Sequence, residues 1–241
     1  MKTALPLVAA LAFGSPIVAQ ESIVFTTEQY KNFAYLDVDG RKRGAGVDQV
    51  EAIAKIAGLP YSIEIMPWAR AIALAETQPM HCVFAAARTP EREARFKWVT
   101  ALYTDRNVLV SHSGSGIAVA TVDEAKDHPV GTHRADYTES LLRKLGFTRL
   151  EISADFDTTL RKLLENRIAL MPMSQSALRQ LQAEGVALDE AVTLSLQPLG
   201  IACHLQVPDE TVRKMQRALD GLIADGTQRT ILASYGIDPP P

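Results

Sequence analysis

Apolar residues recur along the chain at two spacings, and the spacing changes from one short segment to the next. Residues 47–58 carry apolar side chains every three or four positions and close on Gly58, which predicts a helix. Residues 61–66 alternate like a strand, 68–76 are again helical, and 81–86 form an apolar run typical of a buried strand. This alternation favours a mostly parallel sheet with helices on its faces.

The same two patterns continue to the end of the chain in two similar β/α units of about a hundred residues each, a size typical of one compact unit. They indicate two lobes with a cleft between them, while one continuous doubly wound domain remains the alternative. A hairpin-type turn is expected at 37–40 and a flexible turn at 113–116. Further strands are predicted at 22–27, 98–103, 107–110, 128–132, 149–152, 168–173, 192–196 and 200–207, and further helices at 122–126, 138–145, 158–165, 175–183, 209–224 and 228–235.

The first residues have the features of a secretory signal. Lys2 supplies a positive charge, an apolar run to Val18 is too short to span a bilayer, and small residues lead to Ala19. We expect a signal peptide over 1–19. A buried N-terminal helix is the alternative, and Gly14 and Pro16 count against it.

The charge balance and the polar residues exclude several classes of function. With 25 Lys and Arg against 28 Asp and Glu, and without basic runs, the chain is not expected to bind nucleic acid. The five histidines lack the spacing of a helical zinc site, so no metal is expected, and no phosphate-binding loop or serine elbow occurs. The two cysteines, Cys82 and Cys203, allow either one disulfide or two buried thiols.

The segment 84–96 places small residues directly before a cluster of arginines. Thr89 is expected to cap a helix with Pro90 at its first position, and a guanidinium such as that of Arg92 can bind a carboxylate with two parallel hydrogen bonds. The corner therefore predicts an anion site. A surface arginine paired with Glu91 or Glu93 is the alternative.

Three stretches together resemble a known family: residues 46–54, the corner 88–93 with Phe96, and 200–203 followed by the helix 209–224 and residues 225–227. The chain resembles type II periplasmic solute-binding proteins, and within them the extracellular solute-binding proteins of family 3, which serve polar amino-acid ABC importers. The resemblance covers nearly the whole mature chain. It implies an α/β fold of two lobes, each a mixed, mostly parallel sheet flanked by helices, joined by two crossover strands. Lobe 1 would take 20–103 and 198–241, and lobe 2 would take 104–197.

The resemblance also implies a set of ligand-binding residues. Arg92 matches the arginine that grips the ligand carboxylate, Tyr30 matches an aromatic that covers the ligand, and Trp68 is a second wall. Each has an ordinary structural role as its alternative. Further residues expected at the site are Arg70, Ala87, Asp136, Tyr137, Thr138 and Ser174, with Arg70 alternatively facing solvent and Asp136 alternatively capping a helix.

Two departures from the family bear on the ligand. Small apolar residues such as Ala87 stand where amino-acid binders present hydroxyls, and Ser174 stands where they carry an acid for the ligand ammonium. A carboxylate without that amine, a peptide-like compound or an aromatic acid is therefore expected instead of a standard amino acid. The family also places Cys82 and Cys203 side by side on strands of lobe 1, so a bridge between them could form.

The resulting prediction is a monomeric periplasmic solute-binding protein without catalytic activity or cofactor. It would capture a small carboxylated solute for an ABC permease in the inner membrane. Hinge motion is expected near Tyr103 and Gln197. Two alternatives stay open: a periplasmic enzyme on the same fold, similar to cyclohexadienyl dehydratase, and a ligand sensor for a membrane receptor.

Overall fold

The computed structural model describes residues 22–237 of the 241-residue chain. The predicted signal peptide (1–19) and the prolines of the tail lie outside the described residues. The strands of residues 22–237 are β1 (Ile23–Thr27), β2 (Tyr35–Leu36), β3 (Lys42–Arg43), β4 (Tyr61–Ile65), β5 (His81–Ala87), β6 (Lys97–His112), β7 (Val130–His133), β8 (Leu150–Ser153), β9 (Met171–Ser174) and β10 (Leu188–Cys203). The α-helices are α1 (Ala45–Ile56), α2 (Trp68–Thr77), α3 (Val122–Ala125), α4 (Tyr137–Lys144), α5 (Phe156–Leu164), α6 (Gln175–Ala183), α7 (Asp209–Ala224) and α8 (Thr227–Ser234).

The strands form a mixed sheet, as the family resemblance implies, whereas the pattern along the sequence alone favoured a mostly parallel one. The main sheet has the order β4-β1-β5-β10-β6-β9, in which β1 pairs in parallel with β4 and β5. Within this main sheet, each antiparallel pairing involves one or both of the long strands β6 and β10. Strands β2 and β3 form a separate antiparallel pair. A second, parallel sheet contains β7 and β8. Helices cover these sheets, so the expected α/β class is confirmed.

The two long strands differ from the sequence-based prediction. In place of β6, two shorter strands were expected at 98–103 and 107–110, and in place of β10, two at 192–196 and 200–207. In the structure β6 and β10 are each continuous over 16 residues. The polar residues between the predicted pieces keep their ladder partners, since Asp105 lies opposite Gln197. The polar residues between the predicted pieces therefore belong to continuous strands that pass between the lobes, and they do not form turns.

The arginine corner is also built differently from the predicted helix start. Residues 90–92 form a turn, closed by the Arg92 N–H donating to the Thr89 carbonyl at 3.0 Å, and only one 3-10 turn (Glu93–Arg95) follows. Strand β6 already begins at Lys97, so too few residues lie between Pro90 and β6 for a stable α-helix. The predicted helix start at Thr89 and Pro90 was therefore wrong.

Buried apolar residues divide into two groups, which we call the cores of lobe 1 and lobe 2. The core of lobe 1 is built from residues 23–103 with 199–237, and that of lobe 2 from residues 108–194. Tyr30, Tyr137 and Leu141 are exceptions, because each packs against the core of the other lobe. The domain boundaries at 103 and 197 remain predictions. Within residues 22–237, no helix has both the length and the apolar character needed to cross a bilayer.

The two cysteines lie in lobe 1 on neighbouring strands. Cys82 of β5 is directly opposite Cys203 of β10 in the antiparallel ladder, and their sulfur atoms are bonded at 2.04 Å. Both residues are fully buried. The structure thus has the bridge that the sequence and the resemblance allow, and the alternative of two free thiols does not describe it. A covalent link between sequence positions so far apart ties the C-terminal part of the chain to the first lobe.

Candidate functional site: a cavity between the lobes

A cavity of about 60 Å³ lies between the two lobes. Its wall includes aromatic side chains from both lobes and a group of ionisable residues. The aromatic residues are Tyr30, Phe33, Trp68, Tyr103, Tyr137 and Phe156, and the ionisable ones besides tyrosine are Glu28, Asp105, His133 and Asp136. Apolar rings with a few converging polar groups are typical of a small-molecule site.

Most residues predicted for the site from the sequence do line this cavity. Trp68 comes from the first turn of α2, and Ser174 is the last residue of β9. The side chain of Asp136 caps α4 by accepting the Thr138 N–H at 2.9 Å, as its structural alternative predicted. The seven predicted residues that line the cavity are Tyr30, Trp68, Ala87, Asp136, Tyr137, Thr138 and Ser174.

Arg92 lies beside the cavity and does not line it. The residue is 6% exposed, and its guanidinium donates to the carbonyl of Ala87 at 3.3 Å and to that of Ala135 at 2.8 Å. The ring of Trp68, which lines the cavity, has its centre 5.8 Å from the guanidinium carbon. Burial lowers the pKa of Arg92 from its ordinary value, and nearby Asp136 opposes that change. In this geometry Arg92 joins the two lobes, and its role as a carboxylate anchor stays a prediction.

The structure does not bring Arg70 to the cavity. Trp68, Ala71 and Ala75 form the buried face of α2, whereas Arg70 is exposed. Two positions along an α-helix correspond to a rotation of roughly 200° about its axis. The side chain of Arg70 therefore points away from the face that carries Trp68, which matches the solvent-facing alternative.

Several hydrogen bonds cross from one lobe to the other around the cavity. The Ser174 N–H donates to the Tyr30 hydroxyl at 2.9 Å, and the indole N–H of Trp68 donates to the Ala135 carbonyl at 2.9 Å. Ala135 has φ of 62°, in the left-handed region that L-residues seldom adopt. This strained residue thus presents one carbonyl to both Trp68 and Arg92. The lobes are held together by specific polar contacts as well as by ring packing.

A buried acid and base, which the sequence analysis did not single out, face each other across the lobes. Both carboxylate oxygens of Glu28 lie 3.3 Å from Nε2 of His133, and the two side chains are 12% and 5% exposed. Burial alone would lower the pKa of His133, but the carboxylate of Glu28, followed by Asp136 and Asp155, raises it to about 9. Burial raises the pKa of Glu28 despite the opposing effect of His133. At neutral pH we therefore treat this pair as an interlobe ion pair.

The long strand β6 contributes a second polar group to the cavity. Tyr103, Asp105 and Asn107 alternate along it, so their side chains share the face that lines the cavity. Asp105 is 8% exposed, and burial raises the pKa of its carboxyl to about 6, although hydrogen bonds from the side chains of Ser174 and Asn107 oppose that shift. Asp105 thus places a carboxyl group beside Ser174. The sequence analysis had noted that Ser174 stands where amino-acid binders carry an acid.

Replacing Asp105 with asparagine should stabilise the fold at alkaline pH. The pKa of Asp105 is higher in the folded state (about 6) than in the unfolded state (3.8), so the protonated carboxyl favours folding. This contribution to stability is lost as pH rises from about 4 through about 6. At pH 8 the ionised group should destabilise the fold by on the order of 2–3 kcal/mol. Urea unfolding should therefore show Asp105→Asn to be more stable than wild type at pH 8 and about equal at pH 4. Equal stability at both values would contradict the burial of an ionised Asp105.

One group among residues 22–237 has the spacing of metal ligands. One ligand atom each from Glu28, His133 and Asp136 lies within 4.8 Å of the others. These are oxygen and nitrogen donors of the kind that bind zinc and similar ions. The ion pair between Glu28 and His133 already accounts for their proximity, and the absence of a metal stays a prediction.

The fold and the interlobe cavity define the class as a two-lobed periplasmic-type binding protein. The chain belongs to the family described as bacterial extracellular solute-binding proteins, family 3, whose pattern it matches over residues 23–238. This confirms the family inferred from the sequence. A search of curated proteins found no match.

Solved structures share the fold at low sequence identity. A histidine kinase sensor domain with similarity to periplasmic binding proteins matches with a TM-score of 0.83 and 16% identity, over 92% of this chain and 99% of that one. An ancestral arginine-binding protein bound to arginine matches with a TM-score of 0.80 and 19% identity, over 89% and 97%. An ancestral amino-acid-binding protein, a precursor of cyclohexadienyl dehydratase, matches with a TM-score of 0.76 and 17% identity, over 89% and 94%. These likenesses establish the fold alone.

Proposed function

We propose that the protein captures a small solute in the interlobe cavity and delivers it to a membrane permease, as a component of an ABC importer. The observation that carries this proposal is the cavity itself, whose wall takes aromatic and ionisable side chains from both lobes. A site divided in this way is completed only when the lobes come together. Solute binding and hinge closure are then one event.

The cavity limits the size of the solute in the closed form. At roughly 10–15 Å³ for each water-sized group, 60 Å³ holds about four to six non-hydrogen atoms. A long amino acid such as arginine would need a wider opening of the lobes. We therefore propose a solute smaller than arginine, bound by a protein that acts as a monomer in the periplasm after removal of residues 1–19. A carboxylate on that solute, gripped by Arg92, stays a prediction of the family resemblance.

The perturbed acid and base groups of the cavity favour a cleft enzyme as the second candidate. Glu28, His133 and Asp105 all have raised pKa values, and such shifts concentrate at catalytic sites. With pKa values of about 6 and about 9, Asp105 and His133 could exchange protons with a bound molecule near neutral pH. The sensor alternative shares the binding step with the importer component and differs only in the membrane partner.

A thermal-shift screen of small amines, acids and neutral compounds tests the proposal, because a solute that binds only the folded form raises the melting temperature. Each hit should then be incubated with the protein and recovered. The proposed binder returns every hit chemically unchanged. Conversion of a hit would show the cleft enzyme instead, and the lack of any hit would contradict both candidates.

A further inference from the structure

We propose that the solute is a small primary alkylammonium ion whose N–H groups are accepted by Asp105 and Asn107. This inference rests on the proposed function, since it names the chemical class that the same cavity would take. It departs from the carboxylate that the family resemblance implies. Three features of the cavity support it: its charge, an acceptor on β6 that has no partner among the described residues, and its aromatic side chains.

Among the described residues that line the cavity, the one cationic side chain is His133, so Asp105 is a carboxylate without a cation beside it in the cavity wall. The imidazolium of His133 faces Glu28, and the charge of Asp136 acts on Arg92, which lies behind Trp68. The groups acting on Asp105, by contrast, are the neutral donors Ser174 and Asn107 and a further negative charge at Asp136. A buried carboxylate without a nearby cation is unfavourable, and a bound cation would remove that penalty.

The hydrogen-bonding groups point to the same sign of ligand. Asn107 is 3% exposed and lines the cavity, and its Oδ1 has no hydrogen-bond partner among the described residues. Two donors in the wall are already used, since the Thr27 hydroxyl donates to the Phe84 carbonyl at 3.2 Å and the Trp68 indole N–H donates to Ala135. The Tyr137 hydroxyl has no partner among the described residues, and it can either donate or accept. A carboxylate ligand needs donors, whereas an ammonium ligand needs acceptors. Asp105 and Asn107 Oδ1 are acceptors on one face of β6.

The aromatic wall suits the rest of such a ligand. The rings of Tyr30 and Phe156 lie 4.5 Å apart, and those of Phe33 and Tyr103 are stacked at 4.4 Å. Aromatic faces attract cations and also accept short alkyl chains. Because the two acceptors require N–H donors, a primary amine fits better than a quaternary ammonium, which has none.

Calorimetric titration of the full chain with four compounds of similar size tests the proposal: propylammonium, tetramethylammonium, propionate and 1-propanol. We expect propylammonium to bind at least tenfold more tightly than the other three. Asp105→Asn should weaken propylammonium binding about 10- to 100-fold, the effect of losing a charged hydrogen-bond partner. Asp39→Asn, on the exposed turn between β2 and β3, is the matched control and should change nothing. Urea unfolding of both variants checks that they are folded.

The outcomes separate this inference from the proposed function. Preferential binding of propionate would overturn the ammonium assignment and would leave a carboxylate-binding protein. Tightest binding of tetramethylammonium would overturn the role of the two acceptors. Binding of propylammonium that is unaffected by Asp105→Asn would place the amine elsewhere and overturn the assignment. Failure of all four compounds, together with a hit of another class in the screen, would reject the alkylammonium and keep the binding function.

Discussion

Replacing Glu28 with glutamine is expected to weaken solute binding by at least about 100-fold. The variant leaves the buried imidazolium of His133 without its nearest counter-charge, and removing one partner of a buried pair typically costs about 3–5 kcal/mol. Because the partners belong to different lobes, this penalty falls on the closed form and so on affinity. Titration with a hit from the screen measures the effect. Glu64→Gln, an exposed acid on β4, is the control and should bind as wild type does.

The double variant Glu28→Gln with His133→Gln checks the cause of that loss. If an unpaired charge is responsible, the double variant should bind more tightly than Glu28→Gln alone, because both buried charges have been removed. A double variant that binds as weakly as the single one, or more weakly, would assign the loss to a direct contact with the solute.

The same pair also makes the closed form sensitive to pH. The pKa of His133 is raised from 6.5 to about 9, so the pair stabilises the closed form fully below pH 6.5. The contribution is lost as pH rises through about 9. Affinity should therefore fall over this interval, and His133→Gln should remove that part of the fall. Among the described residues, the charged groups that act on His133 are the carboxylates of Glu28, Asp136 and Asp155.

The second large effect is expected at Trp68. This residue is 3% exposed, packs against Ile72, Val83 and Phe96, and donates its indole N–H to Ala135 of the other lobe. Trp68→Ala should lower the free energy of unfolding by about 3–5 kcal/mol, the usual result of removing a buried aromatic ring. It should also abolish measurable solute binding, because the indole ring forms part of the cavity wall and separates the cavity from the Arg92 guanidinium.

A gentler change at the same position separates stability from binding. Trp68→Phe keeps a ring in the core and removes the indole N–H that crosses the lobes, so it should lower affinity about tenfold with a smaller change in stability. The other tryptophan, Trp98, lies outside the cavity wall, and Trp98→Phe is the matched control. If the two phenylalanine variants bind equally well, the contact between Trp68 and Ala135 has no part in closure.

The fold could be predicted well from the sequence because its elements are strongly periodic. Helices α6 and α7 begin and end where the apolar spacing placed them, and the hairpin near Asp37 forms as its turn residues indicated. Prediction was weakest where polar residues lie inside a long strand. The polar residues around Asp105 were interpreted as a break between two strands. A strand that crosses between lobes carries polar residues facing the cavity, and periodicity alone does not distinguish such residues from a turn.

The site was predicted in part, for a related reason. Tyr30, Trp68 and Ser174 were found because they occupy positions typical of the family. Glu28 and His133 were missed, since they are 105 residues apart and only the closed fold brings them together. The signal that could have found them is local: each is polar and stands at the end of a short buried strand, β1 or β7. Such strand ends often carry binding residues.

Small-angle X-ray scattering of the protein alone and saturated with a hit from the screen tests most directly whether binding and closure are one event. A solute held between the lobes should draw them together, so the radius of gyration should be smaller with solute, and Glu28→Gln should need more solute to reach the same value. A solute that saturates the protein while the radius of gyration stays unchanged would contradict capture by closure of the two lobes.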